Sequence, residues 1–212
     1  MIVLFEELLR PQGQTFEGEP VTSGFREHFA HPNGKLYQGD SIEWLASLPD
    51  ASVDLIFADP PYNIKKADWD NFESQEAYIA WSMRWIEQAS RVLKPTGSMY
   101  VCGFSEILAD IKHPSMKYFG SCKWIVWHYK NKANLGSDWG RSHESLLHLR
   151  KSKNHKLNVD SVRIPYGAHT LKYPSHPQAL TKACGHLPQS NSERGKIDHC
   201  SVALIGLFIA GS

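Results

Sequence analysis

The stretch Val53-Asp54-Leu55-Ile56-Phe57-Ala58-Asp59-Pro60-Pro61-Tyr62-Asn63 decides how the rest of the chain is read. Residues 53–58 have no clean period of two, the pattern of a parallel strand covered on both faces. Two prolines end the strand, because neither can donate to a sheet ladder and each fixes its own φ. Asp59, pushed away from the helical region by the proline after it, stays extended at the strand's carboxyl end. In open α/β sheets that end is where ligands bind. Asp and Pro also form plain strand-to-turn connections, so the chemistry of the residues has to carry the argument.

An aryl amine, such as the exocyclic amine of adenine, is a poor nucleophile because its lone pair is delocalised into the ring. Two acceptors for its N–H hydrogens would draw the nitrogen toward a more localised, nucleophilic state. Asp59 supplies one acceptor, and the carbonyl of Pro60, with no N–H beside it to compete, supplies the other. Tyr62 offers a flat face on which a base can stack once it has left the helix.

Asp59-Pro60-Pro61-Tyr62 resembles the catalytic motif of amino-group DNA methyltransferases. Asp in the first position, rather than Ser, is similar to the adenine-N6 enzymes more than to the cytosine-N4 ones. The resemblance implies an α/β, Rossmann-like fold dependent on S-adenosylmethionine, a flipped target base, duplex DNA as partner and a role in restriction–modification. It makes Asp59, Pro60, Pro61 and Tyr62 catalytic and puts Asp59 on the cofactor side as well. Similar Asn-Pro-Pro-Tyr motifs occur in enzymes that methylate RNA or protein glutamine. Those substrates, cytosine N4, and a non-catalytic nucleic-acid-binding remnant therefore stand as alternatives.

Working outward, residues 35–38 read as a short strand that Gly39-Asp40 turns into a helix. Asp40 can cap that helix, with Glu43 three residues on as in a capping box. Asp40 also falls at the carboxyl end of a strand expected beside the catalytic one, and the resemblance places such a Gly-Asp on the cofactor side. After Asn63, which the resemblance assigns to substrate, residues 64–72 are polar with isolated aromatics. They are similar to the loop that closes over the target base, and equally to a surface loop. From Ser74, Tyr78, Trp81, Trp85, Ala89 and Val92 recur at helical spacing and predict an amphipathic helix. Lys94-Pro95-Thr96-Gly97 predicts a turn and residues 98–103 a strand, which completes a βαβ crossover. A helix over 106–112 and strands over 122–130 and 145–149 follow. Trp127, Lys130, His143 and Glu144 match the family's pattern of Trp and Lys, a variable loop, then His-Glu before an apolar strand. The resemblance makes Lys130, His143 and Glu144 substrate-side residues, while a lone His-Glu pair implies no metal.

The net charge of +1 over 212 residues hides a division. Residues 1–122 hold 10 Lys and Arg against 17 Asp and Glu, and residues 123–173 hold 10 against 3. A basic segment interleaved with Trp124, Trp127, Tyr129 and Trp139 suits phosphate contact, and suits a solvated face as well. Residues 1–34 read as a loose arm, 35–150 as the catalytic core, 151–184 as a basic loop beginning target recognition, and 185–212 as an unassigned tail. No stretch approaches the ~18 apolar residues of a membrane helix, the start lacks a basic leader, and the four cysteines form no Cys-x-x-Cys pair. A cytoplasmic protein with reduced thiols and no membrane partner is expected. Cys184, His186, His199 and Cys200 fit no closed zinc pattern.

No strand upstream of Asp59 is followed by Gly-x-Gly, which favours the permuted arrangement, with a cofactor motif similar to Asp-Pro-Phe-x-Gly-Ser-Gly far downstream. Residues 207–212 (Leu-Phe-Ile-Ala-Gly-Ser) lack the acidic start of that motif. The expectation is therefore an incomplete fold, short of two sheet strands and most of the cofactor pocket. A homodimer, or a complementing chain carrying the cofactor-binding half, would make up the difference.

Overall fold

The computed structural model describes residues 2–3, 24–32, 34–65, 68–128, 142–158, 163–165, 181–183 and 204–208. In chain order these form β1 (Ile2–Val3), β2 (Phe25–His31), β3 (Gly34–Gly39), α1 (Ser41–Ser47), β4 (Val53–Asp59), α2 (Gln75–Val92), β5 (Leu93–Gly103) and α3 (Ser105–Ser115). Then come β6 (Ser121–His128), β7 (His143–Arg150), β8 (Arg163–Pro165), β9 (Thr181–Ala183) and β10 (Leu204–Phe208). One eight-stranded sheet has the order β2-β3-β1-β10-β4-β5-β7-β6, and β8 pairs with β9 separately. Among the described residues no helix is long and apolar enough to cross a membrane.

The expected crossover is present. β4 and β5 are parallel neighbours joined through α2. Their register jumps from Val53–Leu93 to Leu55–Ser98, so Lys94–Gly97, read as a turn, bulges out of a strand that begins earlier than expected. That bulge is held from the far side by the segment after β7: Ser152 donates to the Pro95 carbonyl, and the Lys156 and Lys151 amides to those of Thr96 and Gly97. β7 lies antiparallel between β5 and β6, which makes β6 parallel to β5.

Alternation along the strands puts Ile56, Ala58, Met99, Val101, Leu147 and Leu149 on one sheet face, all with 0% exposure. Tyr78, Trp85, Ile86 and Ala89 of α2 and Leu108 and Ile111 of α3 close over them. Each of the larger side chains contributes roughly 1.5–3 kcal/mol through burial, so this single layer fixes the register of three strands. The tryptophans of α2 thus belong to packing, as their helical spacing suggests.

Two expectations change. Phe25–His31, assigned by composition to a loose arm, is strand β2, paired antiparallel with β3 and tied to it by the Phe25–Tyr37 ring contact and the Lys35–Glu27 ion pair. Its lack of periodicity follows from solvent on both faces of an edge strand. Second, β3 does not neighbour β4, because β1 and β10 stand between them. β10 runs parallel to β4 from Leu204–Leu55 to Phe208–Asp59, and β1 pairs antiparallel with both β10 and β3. The side of the sheet expected to lack interior strands is occupied by these two segments. A short apolar run needs no periodic signature to add to an open edge, which is why the sequence alone left it unassigned.

Candidate active site

β3, β4, β5 and β6 point the same way, so their carboxyl ends form one edge, and β7 starts at that edge. Asp40 follows β3, Asp59 ends β4, Phe104 follows β5, and His143 and Glu144 open β7 beside His128 and Trp127. Thus Asp40, Asp59, His143 and Glu144, four of the positions expected at the site, are collected by topology alone. Asp40 stands three strand spacings from Asp59, roughly 14 Å at the usual inter-strand distance. Lys130 lies outside the described residues.

Asp40 is the helix cap that the sequence predicts: one carboxylate oxygen accepts the amides of Ile42 (2.8 Å) and Glu43 (2.9 Å). Its own amide donates to the Gly24 carbonyl at 3.1 Å. Gly39 before it has φ +147°, and a Cβ there would lie 2.3 Å from that same carbonyl, so this turn requires glycine.

At β4 the chemistry is concentrated. Pro60 and Pro61 are buried, while Asp59 and Tyr62 are half-buried. The Tyr62 hydroxyl donates to Oδ1 of Asp59 at 2.8 Å, and its ring meets Phe104 edge-on at 4.9 Å. Burial, then the charge and hydrogen bond of Asp59, hold the Tyr62 phenol well above its usual range, with Cys102 and Glu144 adding to the effect. Cys102, on β5, is pushed up to about 12 by burial, then by Asp59 and Glu144. Asp59, Tyr62, Cys102 and Glu144 therefore share one electrostatic neighbourhood, in which burial first, and then two acidic side chains, favour the protonated phenol and thiol.

Beyond the motif, the Pro61 carbonyl accepts the buried Tyr78 hydroxyl at 2.8 Å, which pins the proline pair to α2. Asn63 and Lys65 both adopt left-handed backbone conformations, with φ of 54° and 57°. The Asn63 side chain, expected on the substrate side, is engaged within the fold: Oδ1 accepts the Phe72 amide and Nδ2 donates to Gln75, each at 3.2 Å. Gln75 in turn donates to Asp110 of α3 at 2.9 Å. Sequence reading passed over Phe104, Cys102, Asp70, Gln75 and Asp110. Of these only Asp70 carried a signal, as an acidic residue with turn-forming ability soon after the motif.

Among the described residues no group of three or more His, Cys, Asp or Glu side chains could hold a metal ion. Cys184, His186, His199 and Cys200 lie outside those residues.

The family model described as DNA methylase matches residues 53–198. Type II methyltransferase M1.MboII of Moraxella bovis is 32% identical over 173 residues, which cover 79% of this chain and 66% of that protein. DNA adenine methyltransferase YhdJ of Escherichia coli strain K12 is 33% identical over 144 residues, 64% of this chain and 48% of that protein. PvuII DNA methyltransferase (cytosine-N4-specific) superposes with a TM-score of 0.55 at 20% identity, covering 77% of this chain and 60% of that one, a likeness of fold. The chain spans between 39% and 66% of the length of the curated relatives it matches.

S-adenosylmethionine is the methyl donor of such enzymes, a sulfonium cation that also carries an ammonium group. The carboxyl edge suits it in chemistry, because Asp40 and Asp59 place carboxylates at two points along the same edge. With a mixed α/β sheet of Rossmann-like kind, an Asp-Pro-Pro-Tyr at the carboxyl edge of its parallel strands and a family match over residues 53–198, this chain belongs to the N6/N4 DNA methylase family.

Proposed function

We propose that this chain carries the catalytic and base-binding part of an enzyme that methylates adenine N6 of a flipped base in duplex DNA. The observation that carries the reading is the convergence of Asp59 and Tyr62, 2.8 Å apart, where the central strand β4 ends. Asp59 and the Pro60 carbonyl accept the two amine hydrogens and localise the nitrogen lone pair, while Tyr62 stacks on the extruded base. S-adenosylmethionine supplies an electrophilic methyl group when bound, with Asp40 and Asp59 as the carboxylates that would hold it. The nitrogen's surplus proton leaves after the transfer, so no strongly perturbed general base is needed. His143 and Glu144 form the far wall of the site and, with Lys130, would contact the substrate. Asp as the first motif residue favours adenine, as does the likeness to an enzyme named for adenine methylation. A second copy, or another chain, is the expected source of any further cofactor-binding surface.

The test is methyl transfer by the full chain from labelled S-adenosylmethionine to duplex DNA, with the product hydrolysed and resolved by mass spectrometry. N6-methyladenine, with activity reduced about 10²-fold or more by Asp59→Ala, is the expected result. N4-methylcytosine would move the reading to the other amino base. Label in RNA or protein in preference to DNA, or no label at all from a folded chain, would overturn it.

A further inference from the structure

Among the described residues Asp70 is the acidic side chain that is buried, and the site description leaves its surroundings unused. It is 2% exposed, although it lies in a polar loop. Its Oδ1 accepts the Asn63 amide at 2.7 Å and its Oδ2 the Ile64 amide at 3.2 Å. Its backbone carbonyl accepts the Lys65 amide at 3.1 Å. Three successive N–H groups directly after the Asp-Pro-Pro-Tyr motif thus converge on one residue. Successive amides turned to one side by a left-handed residue make a concavity that favours an anion, and here the chain's own carboxylate fills it. Two of the three residues, Asn63 and Lys65, hold the left-handed conformations noted above, at a cost of roughly 1–2 kcal/mol for Lys65 and less for Asn63, whose short polar side chain tolerates this region. Such a turn persists only where its surroundings over-determine it. Asp70 provides that constraint from one side, and the Asn63–Gln75–Asp110 chain provides it from the other.

Tyr62 is the residue immediately before this turn. Its ring can sit edge-on to Phe104, with its hydroxyl on Asp59, only while the backbone at 63–65 keeps its path. We propose that Asp70 is a positioning residue for Tyr62: its buried carboxylate holds the turn at residues 63–65 and so fixes the aromatic face that receives the target base. The part concerning the base rests on the function proposed above, whereas the hold on Tyr62 does not.

The experiment separates the two. The full chain is labelled at tyrosine Cζ, and the Tyr62 resonance is assigned by its loss in Tyr62→Phe. Asp70→Asn keeps the shape and one acceptor but not the charge, and Asp70→Ala removes both. The Tyr62 resonance is expected to shift and broaden in Asp70→Asn, and further in Asp70→Ala. The kcat for DNA methylation is expected to fall about 10–100-fold with a nearly unchanged KM, the pattern of a displaced catalytic face. If Asp70→Ala does not fold, Asp70→Asn decides alone. In its background Lys65→Gly, which removes one left-handed penalty, should restore part of the wild-type resonance. A Tyr62 resonance unmoved by Asp70→Asn would overturn the proposal. A moved resonance in a protein with no methylation at any position would leave the hold on Tyr62 standing and remove the DNA methylation reading.

Discussion

The hydroxyl of Tyr62 occupies one of the oxygens that a bound amine would need. Its hydrogen bond to Asp59 orients the carboxylate and ring, and an amine hydrogen directed at Oδ1 would have to share that oxygen with it. Burial, and then the neighbouring carboxylate, keep the phenol protonated throughout the physiological range. Tyr62→Phe keeps the ring beside Phe104 and frees Asp59, so kcat/KM for DNA methylation should stay within about fivefold of wild type, the size of one net hydrogen bond. Tyr62→Ala removes the proposed stacking face and should cost roughly 5- to 100-fold. Equal losses in the two variants, measured by steady-state kinetics, would show that the hydroxyl rather than the ring carries the role. At this scale the strand end at Asp59 was legible in the sequence, since an apolar run and two prolines mark it. The depth of Asp70 was not, because nothing in Asp68-Trp69-Asp70 tells which carboxylate turns inward.

Elements are tied together by polar groups whose partners lie far away in sequence. Arg91, near the end of α2, donates to the carbonyls of Leu45 (2.8 Å), Ala46 (3.3 Å) and Leu48 (2.9 Å) at the end of α1, and pairs with Asp50. A cation there satisfies carbonyls that a helix end leaves without intrahelical partners, and it complements the negative end of the helix dipole. Since α1 is a seven-residue helix that starts from Asp40, Arg91 holds the far end of the helix whose start lies at the candidate cofactor edge. Arg91→Ala should lower stability by about 2 kcal/mol, a fall of roughly 4–8 °C in Tm, read by thermal denaturation. Helical periodicity and the Asp40 cap made α1 and α2 readable from the sequence, and Ser74 caps α2 in the structure. The capping box formed by half: Asp40 caps the helix, but its amide goes to Gly24, a partner brought by the β2–β3 hairpin that composition did not reveal.

For the whole molecule, the sheet face away from the helices carries a test in pH. His148 stacks flat on Tyr100 at 4.4 Å, with Arg150 and His155 beside it, and is 4% exposed. Burial first, then Arg150 and His155, push its imidazole down to about 4. The folded protein therefore holds His148 neutral where the unfolded chain, with a value near 6.5, takes up a proton. This contribution is complete above about pH 6.5 and is lost as pH falls toward 4, on the order of 2 kcal/mol after allowance for solvent screening. Denaturant unfolding at pH 7 and at pH 4.5 should show the loss. His148→Phe, which keeps the stack on Tyr100, should reduce it, and an unchanged pH slope in that variant would contradict the assignment. The sequence by itself determined the βαβ crossover and the strand that ends at Asp59, because apolar periodicity and proline stereochemistry act over a few residues, and it pointed to the family through the resemblance of Asp-Pro-Pro-Tyr. The tertiary structure decided that β10 and β1 separate Asp40 from Asp59, that Glu144 and Cys102 share the field of Asp59, and that Asp70 closes on the turn after Tyr62. Those outcomes depend on which distant backbone edges meet and which carboxylate loses its water, and neither is encoded in local spacing.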